Sequence, residues 1–102
     1  MIRATLIMKV KAGREQEFER AWMIIAEQAQ RTPGNIRQTL LRDQEDQFRF
    51  IITSDWESPE AFRSFEHSPE QDVLTAPLRE LRESASMTVY NLLAHIEKEP
   101  HQ

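Results

Sequence analysis

The sequence contains no cysteine, and only two of its 102 residues are glycine. Without cysteine the chain has no disulfide, no thiolate nucleophile and no thiolate metal site. Two isolated glycines, Gly13 and Gly34, are too few for the glycine-rich loops that hold NAD, FAD or ATP by their phosphates. The three histidines lack the spacing of a metal site such as His-x-x-x-His. We therefore predict no cofactor and no metal.

The chain also lacks a basic excess and any long apolar run. Its 13 basic and 17 acidic residues give a net charge of −4, and no basic stripe is interleaved with aromatics. This balance disfavours nucleic acid and anionic membrane surfaces as partners. The longest apolar runs, such as residues 23–26, are too short to span a bilayer, and residues 1–5 lack the layout of a signal peptide. We expect a soluble cytoplasmic protein.

Hydrophobic periodicity predicts the secondary structure. Residues 2–11 alternate as in a half-buried strand, whereas apolar residues recur at helical spacing over residues 14–29. Two near-identical helix starts come later, Ser58-Pro59-Glu60 and Ser68-Pro69-Glu70. In each, serine caps the helix, proline fits its first position and glutamate suits its first turn. We expect the second of these helices to be interrupted before Pro77. The remaining strands are predicted at residues 36–42, 48–56 and 86–96.

The predicted order is β-α-β-β-α-α-β in a single domain of residues 1–102, with a core at 2–96 and a polar tail at 97–102. Right-handed crossovers make this an α+β, ferredoxin-like antiparallel sheet with helices on one face. The other face also carries apolar side chains, at Ile7, Leu41, Ile51, Tyr90 and Leu92. Such a face needs a cover, and the economical cover is a second copy of the chain. We therefore predict a symmetric homodimer, with a monomer that has another molecule docked on the sheet as the alternative.

Several motifs together carry a family resemblance. They are the segment of residues 54–62, Ser-Asp-Trp-Glu-Ser-Pro-Glu-Ala-Phe, then Phe65 and Ser68, the helix after Gly13 with Phe18 and Trp22, and Pro33-Gly34. With these motifs the chain resembles the antibiotic biosynthesis monooxygenase domain family, the small dimeric α/β barrels. The resemblance covers residues 2–96, nearly the whole chain.

The resemblance implies a pocket in each subunit and a reaction of an electron-rich aromatic with O2 that needs no cofactor. In the branch that forms polyketide quinones, a tryptophan at the end of the third strand holds the phenolic substrate, and Trp56 has that position. That branch has a tyrosine six residues later and an asparagine four residues earlier, where this chain has Phe62 and Ile52. The haem-degrading branch is disfavoured, because Phe65 and residues near Thr75 replace its tryptophan and histidine.

Trp56 and His67 are the candidate catalytic residues. Trp56 can stack on an aromatic substrate and donate its indole N–H, or it can simply fill the core. His67 can take a proton from a phenol near neutral pH, or it can be an exposed residue between two helices. The candidate substrate-binding residues are Ser54, Phe50, Ile52, Phe62, Phe65 and Asn91. A buried Asn91 amide would need a partner, either a ligand or a backbone group at a dimer interface.

These observations lead to one functional hypothesis and two alternatives. The hypothesis is a cofactor-independent monooxygenase, of the antibiotic biosynthesis type, that oxidises a phenolic or anthrone-type polyketide or a hydroquinone to a quinone with O2. The first alternative is a protein that binds a small aromatic without turning it over. The second is an isomerase or cyclase on the same fold, with His67 as its base.

Overall fold

The computed structural model describes residues 1–99, and residues 100–102 of the predicted polar tail lie outside them. Its elements follow the predicted order and confirm an α+β fold. They are β1 (Ile2–Val10), α1 (Glu15–Gln30), β2 (Asn35–Arg42), β3 (Arg49–Trp56), α2 (Pro59–Glu66), α3 (Pro69–Leu81) and β4 (Arg82–Asn91). In the described part of the chain, no helix combines the length and apolar character needed to cross a membrane.

The four strands form one antiparallel sheet in the order β2-β3-β1-β4, as expected for a ferredoxin-like fold. The helices cover one face, here called the inner face, and the opposite side is the outer face. Cross-strand partners point to the same face of a sheet. Ser54 of β3 pairs with Gln38 of β2 and Ala4 of β1, so these three side chains share the inner face.

Two apolar clusters fill the space between the inner face and the helices. The large cluster is built from Met8, Val10, Phe18, Ile25, Phe50, Leu78 and Leu81. The small cluster is built from Ile2, Ala4, Trp56 and Phe62. Phe50 and Trp56 stand near the two ends of β3, so each cluster anchors one end of that strand.

Helix α3 runs through Pro77 without a break, so the predicted interruption is wrong. Pro77 has no N–H for the carbonyl of Val73, and a proline inside a helix costs about 3 kcal/mol. Val73 lies on the exposed side of the helix, where water can bond that carbonyl. Beyond Pro77, Leu78 and Leu81 are buried in the large cluster. Burial of a leucine side chain contributes about 1.5–3 kcal/mol, so these two offset the cost.

Strand β4 begins four residues earlier and ends five residues earlier than the predicted 86–96. The carbonyl of Leu81 accepts the N–H of Lys11 at 2.9 Å, which fixes the end of α3 against β1. The chain therefore enters the sheet at once, with an irregularity in pairing between Lys9 and Val10. At the other end Asn91 pairs with Ile2, the first residue of β1. The Leu92 N–H still bonds the Met1 carbonyl at 3.0 Å, and the pairing of β4 with β1 ends there.

Both Ser-Pro-Glu motifs begin helices as predicted. Ser58 Oγ accepts the N–H of Ala61, and Ser68 Oγ accepts the N–H of Gln71, each at 3.1 Å. Gly34, just before β2, has a φ of +87°, and a methyl group on it would lie 2.5 Å from the Cβ of Ala61. Glycine at this position therefore lets the first turn of α2 pack closely against the start of β2.

The outer face carries an ion cluster around Asp55, which is completely buried. Arg3 donates to both carboxylate oxygens, at 2.7 and 3.0 Å, and Arg37 donates to one at 2.9 Å. The hydrogen bond from Arg3 is the main cause that holds the pKa of Asp55 below its ordinary value, against the opposing effect of burial. Because these residues lie on β1, β3 and β2, the cluster ties three strands together behind Ser54 and Trp56.

The rest of the outer face is partly apolar, as the sequence suggested. Ile7, Ile51 and Leu41 form a row across β1, β3 and β2, and Leu41 and Tyr90 are exposed. A second copy of the chain could cover this row. The homodimer stays a prediction.

Candidate active site

A cavity of about 260 Å³ lies between the middle of the inner face and the helices. Its sheet side is formed by Ala4, Leu6, Gln38, Ile52, Ser54 and Met87. Trp22 and Ile25 of α1 and the aromatic rings of Phe62 and Phe65 of α2 close it from the helical side. Four of the predicted substrate-binding residues, Ser54, Ile52, Phe62 and Phe65, therefore meet at one cavity. Their role in binding stays a prediction.

Trp56 does not line this cavity, which favours the alternative that its ring fills the core. Its side chain has 0% exposure and packs against Phe65 and Phe62, with ring centroids 4.9 and 5.8 Å apart. Its indole Nε1–H donates to Ser54 Oγ at 3.0 Å. Trp56 thus lies behind the cavity wall, where it supports two rings and one hydroxyl that do face the cavity.

His67 lies outside the cavity, at the C-terminal end of α2. Its side chain is 75% exposed, and its Nε2 is 3.7 Å from Oε1 of the neighbouring Glu66. A general base must reach the proton that it removes, directly or through one water. The His67 imidazole faces solvent and does not line this cavity. Its role as a base stays a prediction that this cavity does not support.

Phe50 and Asn91 are also absent from the cavity wall. Phe50 is fully buried in the large cluster, with its ring 5.1 Å from that of Phe18 and the Arg42 guanidinium 5.2 Å from its centroid. Asn91, at the end of β4, is exposed. Neither side chain lines this cavity, so their roles in substrate binding stay predictions that this cavity does not support.

Two glutamines bring polar groups to the cavity that sequence analysis missed. Gln38 places its Nε2 atom in the protein interior without a hydrogen-bond partner among residues 1–99. Gln71 has only 8% exposure, and its side chain makes no hydrogen bond within the same range. The signal for Gln38 was its position between Ile36 and Leu40 in β2, where alternation puts a polar side chain on an apolar face.

The direction of the Gln71 side chain follows from the cap of α3. In a capping box the side chain three residues after the serine bonds the N–H of that serine. Here the Ser68 N–H is already bonded to the carbonyl of Phe65 at 3.2 Å. The Gln71 amide is therefore free to turn inwards, where it lines the cavity from the helical side.

The charged residues at the cavity are confined to its helical rim. Arg79 donates to the Asp72 carbonyl at 3.0 Å and to Thr75 Oγ1 at 2.8 Å, and it lies 3.5 Å from the Asp72 carboxylate. Glu66 of α2 is the third charged residue that lines the cavity. On the sheet side the polar groups are neutral, the Ser54 hydroxyl and the Gln38 amide. Across residues 1–99, no three His, Cys, Asp or Glu side chains are grouped to hold a metal ion.

A larger and more open groove, of about 810 Å³, lies on the other side of Phe65 and Gln71, which line both spaces. Thr32, Glu57 and Ser64 are among its walls. We take the smaller cavity as the candidate active site, because ligand sites combine apolar walls with a few inward-facing polar groups.

Comparison with known proteins gives the family of the chain and agrees with its fold. The model of the family described as antibiotic biosynthesis monooxygenase matches residues 1–74. The chain belongs to this family. The matched segment contains β1 through α2 and the first turn of α3, and so includes Trp56 and every sheet residue of the cavity except Met87.

Individual relatives of this monooxygenase-family chain come from Streptomyces. A 42.8 kDa protein in the whiE locus of Streptomyces coelicolor is 30% identical over 77 residues, which are 76% of this chain and 19% of that protein. Protein SchA of Streptomyces halstedii is 24% identical over 98 residues, 96% of this chain and 26% of that protein. The chain thus spans about a fifth to a quarter of the length of these curated relatives.

Among solved structures, SnoaB, a cofactor-independent oxygenase from Streptomyces nogalater, superposes with a TM-score of 0.85 at 23% identity. The superposition covers 95% of this chain and 97% of that chain. A conserved protein from Methanosarcina mazei superposes with a TM-score of 0.82 at 18% identity, covering 87% and 89% of the two chains. At these identities the superpositions establish the shared fold.

Two positions that the resemblance to the quinone-forming branch would give polar side chains are apolar in this chain. Ile52 and Phe62 take the places of an asparagine and a tyrosine, and both line the cavity. Neutral hydrogen-bonding groups come instead from Ser54, Gln38 and Gln71, in addition to the charged and polar residues of the helical rim. The cavity therefore has neutral hydrogen-bonding groups, but at positions other than 52 and 62.

Proposed function

We propose that the protein is a cofactor-independent monooxygenase that oxidises a phenolic ring system to a quinone with O2. The observation that carries this proposal is the apolar cavity with its neutral polar groups on the sheet side. A cavity of about 150 Å³ accommodates benzene, so about 260 Å³ suits a naphthol-sized substrate. Larger anthrones would need the open side of the cavity beside Met87, which is exposed.

In this reaction the substrate itself reacts with O2, so the protein need not form a covalent bond to the substrate. O2 is a triplet and reacts slowly with closed-shell molecules, but a phenolate or enolate donates electrons to it readily. With a naphthol, four electrons pass to O2, one oxygen atom becomes the new ring carbonyl, and the other leaves as water with two hydrogens of the substrate. The protein has to favour the anionic form of the ring, orient it and exclude water.

Named residues fit these tasks. Leu6, Ile52, Phe62 and Phe65 give the cavity apolar walls, which keep water from the reacting ring. Ser54 presents its hydroxyl to the cavity while its oxygen accepts the Trp56 N–H. Trp56 then acts by positioning Ser54 and the two phenylalanine rings, without touching the substrate.

The second part of the proposal is a homodimer with one cavity in each subunit. Strand β4 is the exposed edge next to β1, and Met87 and Tyr90 on its two faces are both exposed. Leu93 and Ile96 beyond it are each 93% exposed. Together these side chains add apolar surface near the strand, as is typical of a protein–protein interface. Light scattering at micromolar concentration tests the proposal: we expect twice the mass of the 12.0 kDa chain, and a pure monomer would contradict it.

Oxygen uptake by chelator-treated protein tests the activity. We expect uptake with 1-naphthol, slower uptake with anthrone, and a quinone that carries one labelled oxygen atom from ¹⁸O2. Ile52→Phe, which fills the cavity, should abolish uptake, whereas the same substitution at exposed Ile24 should not. No uptake with any phenol, naphthol or anthrone would refute the proposal.

The alternatives give different results in the same experiment. Melting shifts with these compounds but no oxygen consumption would indicate a binding protein. Product formation without O2 would indicate an isomerase or cyclase. That last function needs a base in the cavity. His67 is exposed outside it, so a carboxylate of the helical rim, Glu66 or Asp72, would have to be that base.

A further inference from the structure

Gln38 and Ser54 form a cross-strand pair at the sheet side of the cavity. They are direct partners in the register of β2 and β3, and both line the cavity. Side chains at directly opposed positions have Cβ atoms about 4.5–5.5 Å apart. Two hydrogen-bonding groups therefore enter an apolar cavity side by side, close enough to contact one ligand atom together.

The hydrogen bond from Trp56 fixes which hydrogens of this pair are free. An indole N–H can only donate, so the 3.0 Å bond between Trp56 Nε1 and Ser54 Oγ uses an oxygen lone pair of the serine. The hydroxyl hydrogen of Ser54 has no acceptor in the described part of the chain. The Gln38 Nε2 atom is likewise buried without a partner there. Ser54 therefore has a hydrogen left for an acceptor in the cavity. Gln38 has hydrogens without an acceptor too, and its amide would have to rotate from its buried position towards the cavity that its side chain lines.

No charged side chain lies beside Ser54 and Gln38 on the sheet side of the cavity, so an acceptor there would be bound by these two neutral donors. Asp72 and Arg79 approach from α3 and Glu66 from α2, and the Asp72 side chain is 77% exposed. Arg79 is engaged with Asp72 and Thr75. On the sheet side, neither a carboxylate that would repel an anion nor a cation that would bind it lines the cavity.

We infer that the Gln38 amide and the Ser54 hydroxyl together bind the oxygen of a phenolic ligand as the phenolate, with Trp56 as the positioning residue of the pair. Hydrogen bonds to an ionised oxygen are stronger than those to a neutral one, so the pair favours the anion. Only the O–H bond of the phenol breaks, and its proton goes to solvent. The inference rests on the proposed function for the class of ligand, but it requires no turnover.

The ionisation of a bound coloured phenol tests the inference. 4-Nitrophenol titrates near neutral pH, and its phenolate absorbs visible light, so its pKa can be measured free and at saturating protein. We expect a lower pKa for the bound probe. In Gln38→Leu the affinity for the phenolate should fall about tenfold, with little change for the neutral phenol, and the pKa shift should largely disappear.

Three further variants make the test specific. Gln38→Glu keeps the shape but adds a negative charge, so the bound probe should titrate above the free one. Ser54→Ala should remove part of the shift. Gln28→Leu, the same substitution as Gln38→Leu but at an exposed residue of the larger groove, should keep the shift. Because Gln38→Leu removes a buried group without a partner, its melting temperature should not fall, so a lost shift cannot be attributed to unfolding.

Two outcomes would overturn the inference. One is a bound probe whose pKa equals that of the free probe, or no binding of the probe at all. The other is a shift in Gln38→Leu as large as in the native protein. The proposed function fails separately: a normal shift without oxygen uptake leaves the phenolate site standing, whereas uptake with an unshifted probe removes only the inference.

Discussion

Replacement of Trp56 separates a catalytic role from a structural one. The side chain has 0% exposure, packs on Phe62 and Phe65, and donates to Ser54 in the interior. Truncation of a buried aromatic to alanine costs about 3–5 kcal/mol. A domain of this size has about 5–15 kcal/mol of stability in total, so Trp56→Ala should lose a large share of it. Lost turnover in this variant would then report partial unfolding.

Trp56→Phe is the informative substitution, because it keeps a ring in the small cluster and removes the N–H. We expect a loss of about 1–3 kcal/mol, between the value of one hydrogen bond and that of full truncation. The folded protein should bind aromatics normally but hold Ser54 less rigidly. Part of the pKa shift of bound 4-nitrophenol should therefore disappear, with a fall in kcat larger than the change in KM.

Urea unfolding followed by circular dichroism measures the stabilities, and Trp22 provides the control. Trp22 is only half-buried and lines the cavity, so Trp22→Ala should cost clearly less stability than Trp56→Ala. The reasoning is refuted if the free energy of unfolding of Trp56→Ala lies within about 1 kcal/mol of the native value, because a buried, well-packed ring should contribute more than that. It is equally refuted if Trp22→Ala proves the more destabilising of the two.

Two further predictions concern stability. The pKa of Asp55 is lowered in the folded protein, mainly by the hydrogen bond from Arg3. The ionised carboxylate therefore stabilises the fold fully above its unfolded pKa of about 4. This stabilisation is lost as the pH falls through the lower pKa of the folded protein. Asp55→Asn should therefore flatten the dependence of the urea midpoint on pH below about pH 4, and an unchanged slope would contradict this. Gly34→Ala should lower the melting temperature by several degrees, since it adds a positive-φ alanine and a clash with Ala61. Gly13→Ala, with φ of +83° but open space around it, should cost less, and equal losses would argue against the clash.

The fold was predictable because its signals are local. Alternation marked β1, and each Ser-Pro-Glu motif supplied a cap, a first-turn proline and a favourable charge in three consecutive residues. The errors at Pro77 and in the bounds of β4 have a tertiary origin. Burial of Leu78 and Leu81 keeps α3 helical through a proline, and pairing with β1 decides where β4 starts and stops. Neither effect is visible in a window of ten residues.

The site was predictable only in part, because alternation gives the face of a side chain but not what covers it. Phe50, Ile52, Ser54 and Trp56 all point to the inner face of β3. The structure buries the first and last of these under the two apolar clusters and leaves the middle two open to the cavity. Which pair stays open depends on how far along the strand the helices pack, and that distance is set by side chains remote in sequence, such as Phe18 of α1.

The two glutamines show a second limit of local analysis. Ser68-x-x-Gln71 fits a capping box as well as an inward-facing amide, and only the bond between the Ser68 N–H and Phe65 decides between them. These amides and the apolar side chains of Ile52 and Phe62 together decide which walls of the cavity can bind a polar group of the substrate. If Gln38 and Ser54 hold the phenolate, its oxygen lies on the sheet side between β2 and β3. Ile52 and Phe62 then line the space left for the ring, and apolar side chains suit those positions because the carbon atoms of a ring need no hydrogen bond.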